Sequence, residues 1–326
     1  MKLPSSIIYA LCSMLLLASA ARAADKDVNR WHATLQQIQD RAVAENISHH
    51  VIDQVIQEAT FMPGVIRSDR NQSEFRLTLN QYITRMVNAD RVRMGRAAKK
   101  QHADLLRRVE ARYGVQPHVI LAFWGLESNY GTFKATHRMS DAFLTLIYDG
   151  RRQTFFTNQL FALMKHADKN NLSISYLRGS WAGAMGHFQF IPTTLAAYGV
   201  DGDGDGVVDV IGSLPDAMYS AGNFLRRLRW NKNERILRTV RLPAGFNMSL
   251  CDARTRKNLS RWQAMGVRNP DGSALPRADM SAGMVCDARD KNRVGYLVYE
   301  NFYRIKRWNN SNAYAIAVGL LAERLR

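Results

Sequence analysis

Apolar side chains recur every three to four positions over most of the chain, a period that predicts helices. Between about Asp27 and Tyr113, Trp31, Leu35 and Ile38 share one face, and Val51, Ile52, Val55, Ile56 and Ala59 follow Ser48, which is placed to cap a helix. Phe61-Met-Pro63-Gly64 breaks this run, and a further helix is predicted from about Gln81 through Arg107 with an interruption near Gly95. The next helix opens on Pro117, a residue favoured in a first turn, and carries Val119, Ile120, Leu121, Phe123, Trp124 and Leu126. It runs into Glu127-Ser-Asn-Tyr-Gly131, where Gly131 is the expected terminator. After Trp230 the period changes. Leu237 to Leu242 and Val294 to Tyr299 alternate as strands do, with loops rich in Pro, Gly and Asn between them, and helix is expected again from Tyr303 to Leu325.

The first residues have a different character. Met1-Lys2, an apolar run from Ile7 to Ala18 and the small-residue stretch that follows read as a secretory signal peptide. Ala21-Arg22-Ala23 fits the cleavage pattern and Ala18-Ser19-Ala20 is the alternative, so the leader is taken as 1–23. The run is too short to cross a hydrocarbon core of about 30 Å, and no stable membrane insertion is expected. Removing the leader leaves Cys251 and Cys286 in a chain bound for an oxidising compartment, and one disulfide is the simplest pairing. The formal charge of +17 loses only Lys2 and Arg22 with the leader. An exported basic protein meets little nucleic acid, so nucleic acid is not the expected partner. An anionic cell-wall polymer suits the charge better, through an attraction that salt weakens.

Three segments carry chemistry. Glu127 ends a strongly apolar helix, where both the apolar neighbours and the negative end of the helix dipole favour the protonated carboxyl. A general acid for glycosidic cleavage needs that form. The segment Gly179-Ser-Trp-Ala-Gly-Ala-Met-Gly-His-Phe-Gln-Phe-Ile-Pro192 repeats glycine amid aromatics, so that backbone can approach a ligand closely while Ser180 and Gln189 offer hydrogen bonds. The same composition also suits two tightly packed helices. Asp201-Gly-Asp-Gly-Asp-Gly206 follows a calcium-loop template at Asp201, Asp203 and Asp205, with Val207 as a backbone ligand and Asp209 at the ninth position. Position twelve is Gly212, so the usual bidentate carboxylate is missing there, with Ser213 or Asp216 in reach to contribute. The loop reads either as a structural calcium site or as a plain Asp-Gly turn.

Together, Phe123-Trp-Gly-Leu-Glu-Ser-Asn-Tyr-Gly131, the Gly179 to Pro192 segment and the aspartate loop resemble the lytic murein transglycosylase B family, as does Arg307-Trp-Asn-Asn-Ser-Asn-Ala-Tyr-Ala-Ile-Ala-Val318 near the C-terminus. The resemblance implies a mainly α fold, with a lysozyme-like helical core, a helical N-terminal region and a small β-containing insertion. On this reading residues 24–115 form the N-terminal region, 116–235 the catalytic core, 236–300 the insertion holding both cysteines, and 301–326 a C-terminal helix returning to the cleft. It further implies that Glu127 is the catalytic acid and base, and that Tyr82, Ser180, Gln189, Phe190, Asn309 and Tyr314 are cleft residues. Phe224 and Trp308 stand where tyrosines are common, so stacking can persist there while a hydroxyl role is lost.

Ordinary glycosidases flank the scissile bond with two carboxylates. Here Glu127 is the only acidic residue between Glu110 and Asp141. The family reading needs one. Glu127 protonates the oxygen linking N-acetylmuramic acid to N-acetylglucosamine, then takes the proton of the muramoyl C6 hydroxyl as it attacks C1, leaving a 1,6-anhydromuramoyl end. No cofactor is required for this chemistry, the partner is the peptidoglycan glycan strand, and a monomer is expected in the periplasm. A water-using muramidase and a non-catalytic wall-binding protein are the competing readings.

Overall fold

The computed structural model describes residues 27–71, 77–133, 135–287 and 289–326. The expected signal peptide, 1–23, lies outside them. The chain is mainly helical and divides into two compact units, one built from residues up to Asn71 with Thr136–Ala184 and Ile191–Thr193, the other from the rest.

In the first unit a helix over 27–44 (α1) is followed by α2 (His49–Ile56), whose first turn is capped by the Ser48 side chain as expected. Pro63 does more than break the pattern, because it opens α3 (Pro63–Arg70) from the N1 position, where its missing N–H costs nothing. β1 (His137–Arg138) and β2 (Arg178–Gly179) form a two-stranded ladder around α8 (Met139–Asp149) and α9 (Gln153–Lys169). Asp69 at the end of α3 is 1% exposed. Its carboxylate accepts from Arg151 Nε at 2.6 Å and from Arg152, two cations on the α8–α9 connection.

The second unit opens with α4 (Leu79–Met86), α5 (Ala89–Gln101) and α6 (Ala103–Tyr113). The single helix expected from Gln81 to Arg107 is therefore three. Thr78 and Gln81 form a reciprocal capping box, and Asn88 caps α5 by accepting from Arg91 N at 2.8 Å. Gly95, expected as an interruption, lies inside α5. A side chain there would strike the Tyr130 hydroxyl and Leu325, so this glycine serves packing and not chain reversal.

α7 (Pro117–Ser128) is buried from Val119 to Leu126, with α14 (Asn312–Leu325), α5, α6 and α11 (Leu214–Arg227) around it. A helix apolar on all sides is a core helix. It ends two residues earlier than expected, because Asn129 takes the left-handed conformation (φ 50°) and its N–H closes on Trp124 O. The short α10 (Pro192–Tyr198) precedes the aspartate loop, and Ser213 caps α11.

The strands expected at 237–242 and 294–299 are present as β3 (Leu237–Arg241) and β6 (Val294–Val298), paired antiparallel with Leu237 opposite Val298. They belong to a four-stranded sheet, β3-β6-β5-β4, completed by β5 (Ser281–Cys286) and β4 (Lys257–Asn258). The sheet and α12 (Leu259–Ala264) enclose their own core of Val240, Leu259, Trp262, Met284 and Leu297. Cys251 and Cys286 form the expected disulfide, with Cα atoms 5.2 Å apart and a separation of 35 positions in sequence. A cross-link over a loop of this size is worth about 3 to 4 kcal/mol in the chain-entropy picture. The final helix is broken in two: α13 (Glu300–Trp308) and α14 meet at Asn309–Ser311, where the Ser311 hydroxyl caps α14.

Candidate active site

α7 delivers one polar side chain into an otherwise apolar setting. Val119 through Leu126 are all buried, and Glu127 follows, half-buried, in the last turn. Two donors meet at one of its oxygens. The Tyr314 hydroxyl donates to Glu127 Oε1 at 2.5 Å, and Trp308 Nε1 donates to the same oxygen at 3.0 Å. Tyr314 sits in the first turn of α14, 4% exposed, and Trp308 is the last residue of α13. The break at Asn309–Ser311 thus places a donor from each of two helices on one carboxyl group. Burial pushes the Tyr314 phenol well up, and the neighbouring Glu127 carboxylate adds to this, so its hydroxyl keeps its proton for donation.

The turn carrying Glu127 is braced from beneath. Ser128 Oγ donates to His187 O at 2.6 Å and accepts from Gly131 N at 3.0 Å. Trp124 Nε1 donates to His187 Nδ1 at 3.1 Å, and an indole N–H can only donate, so His187 is neutral with its proton on Nε2. Burial, which holds the His187 imidazole below its ordinary pKa, acts in the same sense. Gly131 (φ 80°) admits the His187 ring where a Cβ would meet it at 2.8 Å.

Around Trp308 the rings form a column. Phe224 lies 4.8 Å from it at an interplanar angle of 29°, and Tyr198 stacks on the far side of Phe224 at 4.3 Å and 18°. Phe123 (4.7 Å) and Phe190 (5.3 Å) close the other sides of the indole.

The structure therefore brings Glu127, Phe190, Phe224, Trp308 and Tyr314 together. Tyr82 on α4 is half-buried and near enough to Tyr314 to push that phenol further up. Gln189 takes a left-handed backbone (φ 48°) and donates to Gly186 O at 3.0 Å, while Asn309 is exposed at the end of α13. Ser180 belongs to the first unit, where its Oγ accepts from Ala184 N at 3.1 Å and holds the tight turn at Gly183. At position 308, where a hydroxyl is absent as expected, the indole N–H donates to Glu127 Oε1. Tyr198 and His187 were not singled out from sequence. Tyr198 gives no signal there, being one aromatic in a short helix, whereas His187 lies inside the glycine-rich segment.

In the aspartate loop, Asp201, Asp203 and Asp216 present carboxylate oxygens within 4.8 Å of one another. Asp205 and Asp209 are not in that group; Asp205 Oδ1 accepts from Val207 N at 2.8 Å and Asp209 Oδ1 from Ile211 N at 2.9 Å, as the oxygens of Asp201 and Asp216 also accept from backbone N–H groups of the loop. Asp216 is 1% exposed, and burial raises its pKa, with Asp203 adding repulsion. Three converging carboxylates, one of them buried, make a donor set that suits a hard divalent cation.

Residues 30–323 match the transglycosylase SLT domain. The chain belongs to this family. It is 29% identical over 255 residues to membrane-bound lytic murein transglycosylase B of Escherichia coli, an alignment spanning 74% of this chain and 66% of that relative, a little under two thirds of its length. Among solved structures it resembles SltB3 of Pseudomonas aeruginosa, determined in complex with NAG-anhNAM-pentapeptide, at a TM-score of 0.84 and 39% identity over 90% of this chain and 78% of the other. Escherichia coli Slt35, determined in complex with calcium, gives a TM-score of 0.78 and 26% identity over 90% of this chain and 92% of the other. The expected lysozyme-like, mainly α architecture is the one shared with these transglycosylases.

Proposed function

We propose that the chain is a lytic transglycosylase that cleaves the β-1,4 bond between N-acetylmuramic acid and N-acetylglucosamine in peptidoglycan, leaving 1,6-anhydromuramoyl ends. The observation that carries the reading is the setting of Glu127, one carboxyl group at the end of a buried apolar helix with two donors fixed on Oε1. The apolar surroundings favour a neutral acid before cleavage. The two donors stabilise the carboxylate once the proton has gone to the leaving oxygen. As a carboxylate, Glu127 takes the proton of the muramoyl C6 hydroxyl while O6 bonds to C1 of the same ring. Attack within one sugar benefits from high effective molarity and needs no second carboxylate to activate water.

Phe190 and Phe224, expected to face the strand, are 2% and 8% exposed and back the Trp308 indole instead, so Trp308 is the ring of the three read as lying against a sugar, with Tyr82, Ser180, Gln189 and Asn309 as polar contacts. The crystallised complexes of SltB3 with NAG-anhNAM-pentapeptide and NAG-NAM-pentapeptide support a glycan strand as the partner. Export with removal of 1–23 and action in the periplasm follow from the N-terminal sequence and from where peptidoglycan lies. No helix among the described residues is long and apolar enough to cross a membrane. We further read the aspartate loop as a structural calcium site. Asp201, Asp203 and Asp216 would hold the ion, with Asp205, Val207 and Asp209 shaping the loop around it. The chemistry itself needs no cofactor, and the chain is proposed to act as a monomer.

Mass spectrometry of muropeptides released from purified peptidoglycan by the mature protein tests the reading, with Glu127→Gln alongside. Anhydro ends that disappear in the variant are expected. Hydrated reducing ends would make the chain a hydrolase, and no release by the wild type would make it a wall-binding protein.

A further inference from the structure

The two donors on Glu127 Oε1 differ in kind. A phenol such as Tyr314 can give or take a hydrogen bond, whereas the indole of Trp308 has an N–H and no available lone pair, so it can only give. Its direction is also fixed. Phe224 at 4.8 Å, Phe123 at 4.7 Å and Phe190 at 5.3 Å pack against the ring, and Asn309 N closes the α13 turn on Ile305 O at 3.1 Å. The N–H therefore points at Oε1 whether Glu127 is charged or neutral. A carboxylic acid whose Oε1 already accepts this bond carries its own proton on the other oxygen.

We propose that Trp308 is a positioning residue that holds Oε1 as the accepting oxygen throughout the reaction, so that the transferred proton leaves and returns on Oε2. This rests on the transglycosylase reading for the identity of the proton that moves. In the first step the Oε2 proton passes to the glycosidic oxygen as the C1–O bond breaks. In the second the C6 hydroxyl gives its proton to Oε2 as O6 bonds to C1. The indole keeps its hydrogen in both, and the carboxyl plane stays fixed between the two half-reactions.

Other ionisable groups lie around Glu127. Tyr314 comes from α14, with Tyr82 of α4 beside it; Arg91 of α5 faces Tyr82 and Tyr130; and His187 and His102 flank Trp124, one turn before Glu127. Trp308→Phe leaves all of them in place and keeps an aromatic ring in the column. Removing one donor to a carboxylate is expected to lower kcat about tenfold, leave KM within about twofold, and move the alkaline limb of kcat/KM up by about one pH unit. Trp308→Tyr, whose hydroxyl can donate, should recover most of the loss.

A second readout needs no turnover. In 15N-labelled protein the Trp308 indole signal should titrate with Glu127 and become flat in Glu127→Gln. Unchanged kcat and pH limb in Trp308→Phe, with only KM raised, would make Trp308 a sugar platform and overturn the proposal. So would an indole signal insensitive to pH in a protein that still forms anhydro ends. If the wild type forms no anhydro ends while the indole signal follows Glu127, the transglycosylase reading fails and the fixed oxygen stands.

Discussion

Tyr314→Phe isolates the shorter of the two contacts on Glu127. The ring is 4% exposed and packs against Phe123 at 6.2 Å, so phenylalanine occupies the same place and only the hydroxyl is lost. That hydroxyl lies 2.5 Å from Oε1. Hydrogen bonds to charged groups are worth about 1.5 to 3 kcal/mol, and each 1.4 kcal/mol is about tenfold in rate, so kcat should fall by roughly 10- to 150-fold. The loss bears on the state in which Glu127 is a carboxylate, reached after cleavage begins, so kcat carries it and KM does not. The assay is initial-rate release of anhydro-muropeptides over a range of peptidoglycan concentrations, with thermal melting to show that the variant is folded. A kcat within twofold of wild type would refute the reasoning. It would mean that Oε1 is satisfied without Tyr314, and that the short contact is a packing consequence.

Asp69 tests pH dependence elsewhere in the fold. Burial alone would raise its pKa, but the hydrogen bond from Arg151 and the charges of Arg151 and Arg152 outweigh it and hold the carboxyl below 3.8. A depressed folded value means that this group's contribution to stability is fully present above the unfolded pKa near 4 and is lost as pH falls through the folded value. Asp69→Asn should therefore flatten the acid limb of a melting-temperature-against-pH curve and lower stability at neutral pH. A curve parallel to wild type counts against it. Tyr130→Phe should be neutral or stabilising, by up to about 1 to 3 kcal/mol, since the Tyr130 hydroxyl is buried without a hydrogen-bond partner among the described residues and its desolvation is uncompensated. A lower denaturation midpoint would show that this oxygen has a partner in solution. Calcium should raise the melting temperature of the wild type and leave Asp216→Asn unmoved; an equal rise in both would place the ion elsewhere.

The legible parts of the fold were those whose cause is local. Pro117 and the apolar run after it announce α7, and the alternation at 237–242 and 294–299 announces two strands that pair with each other. The breaks at Asn88 and His102 were not legible, because α5 and α6 carry charged residues on both sides of the junction and the periodicity passes through it. Gly95 was misread for a tertiary reason, since the side chains that need its missing Cβ are those of Tyr130 and Leu325, far along the chain. Asp216 was partly legible, since the sequence already offers it, with Ser213, as a contributor to the aspartate loop. What the fold adds is its place, in the first turn of α11 with a carboxylate oxygen within 4.8 Å of those of Asp201 and Asp203.

Position 308 shows why a residue can be placed in a cleft from sequence while its role escapes. Read as a ring, tryptophan in place of tyrosine preserves stacking and loses a hydroxyl. The packing of Phe123, Phe190 and Phe224 holds the indole with its edge toward Glu127, where its nitrogen donates to Oε1. On the proposed mechanism, the consequence bears on how one carboxyl would serve as acid and then as base. Apolar neighbours and the C-terminal end of α7 disfavour the anion, while the two donors on Oε1 favour it. With only the first, Glu127 would hold its proton and cleavage would stall; with only the second, it would have none to give. Opposed to one another, the two effects suit a single group that, on this mechanism, must visit both states in every turnover.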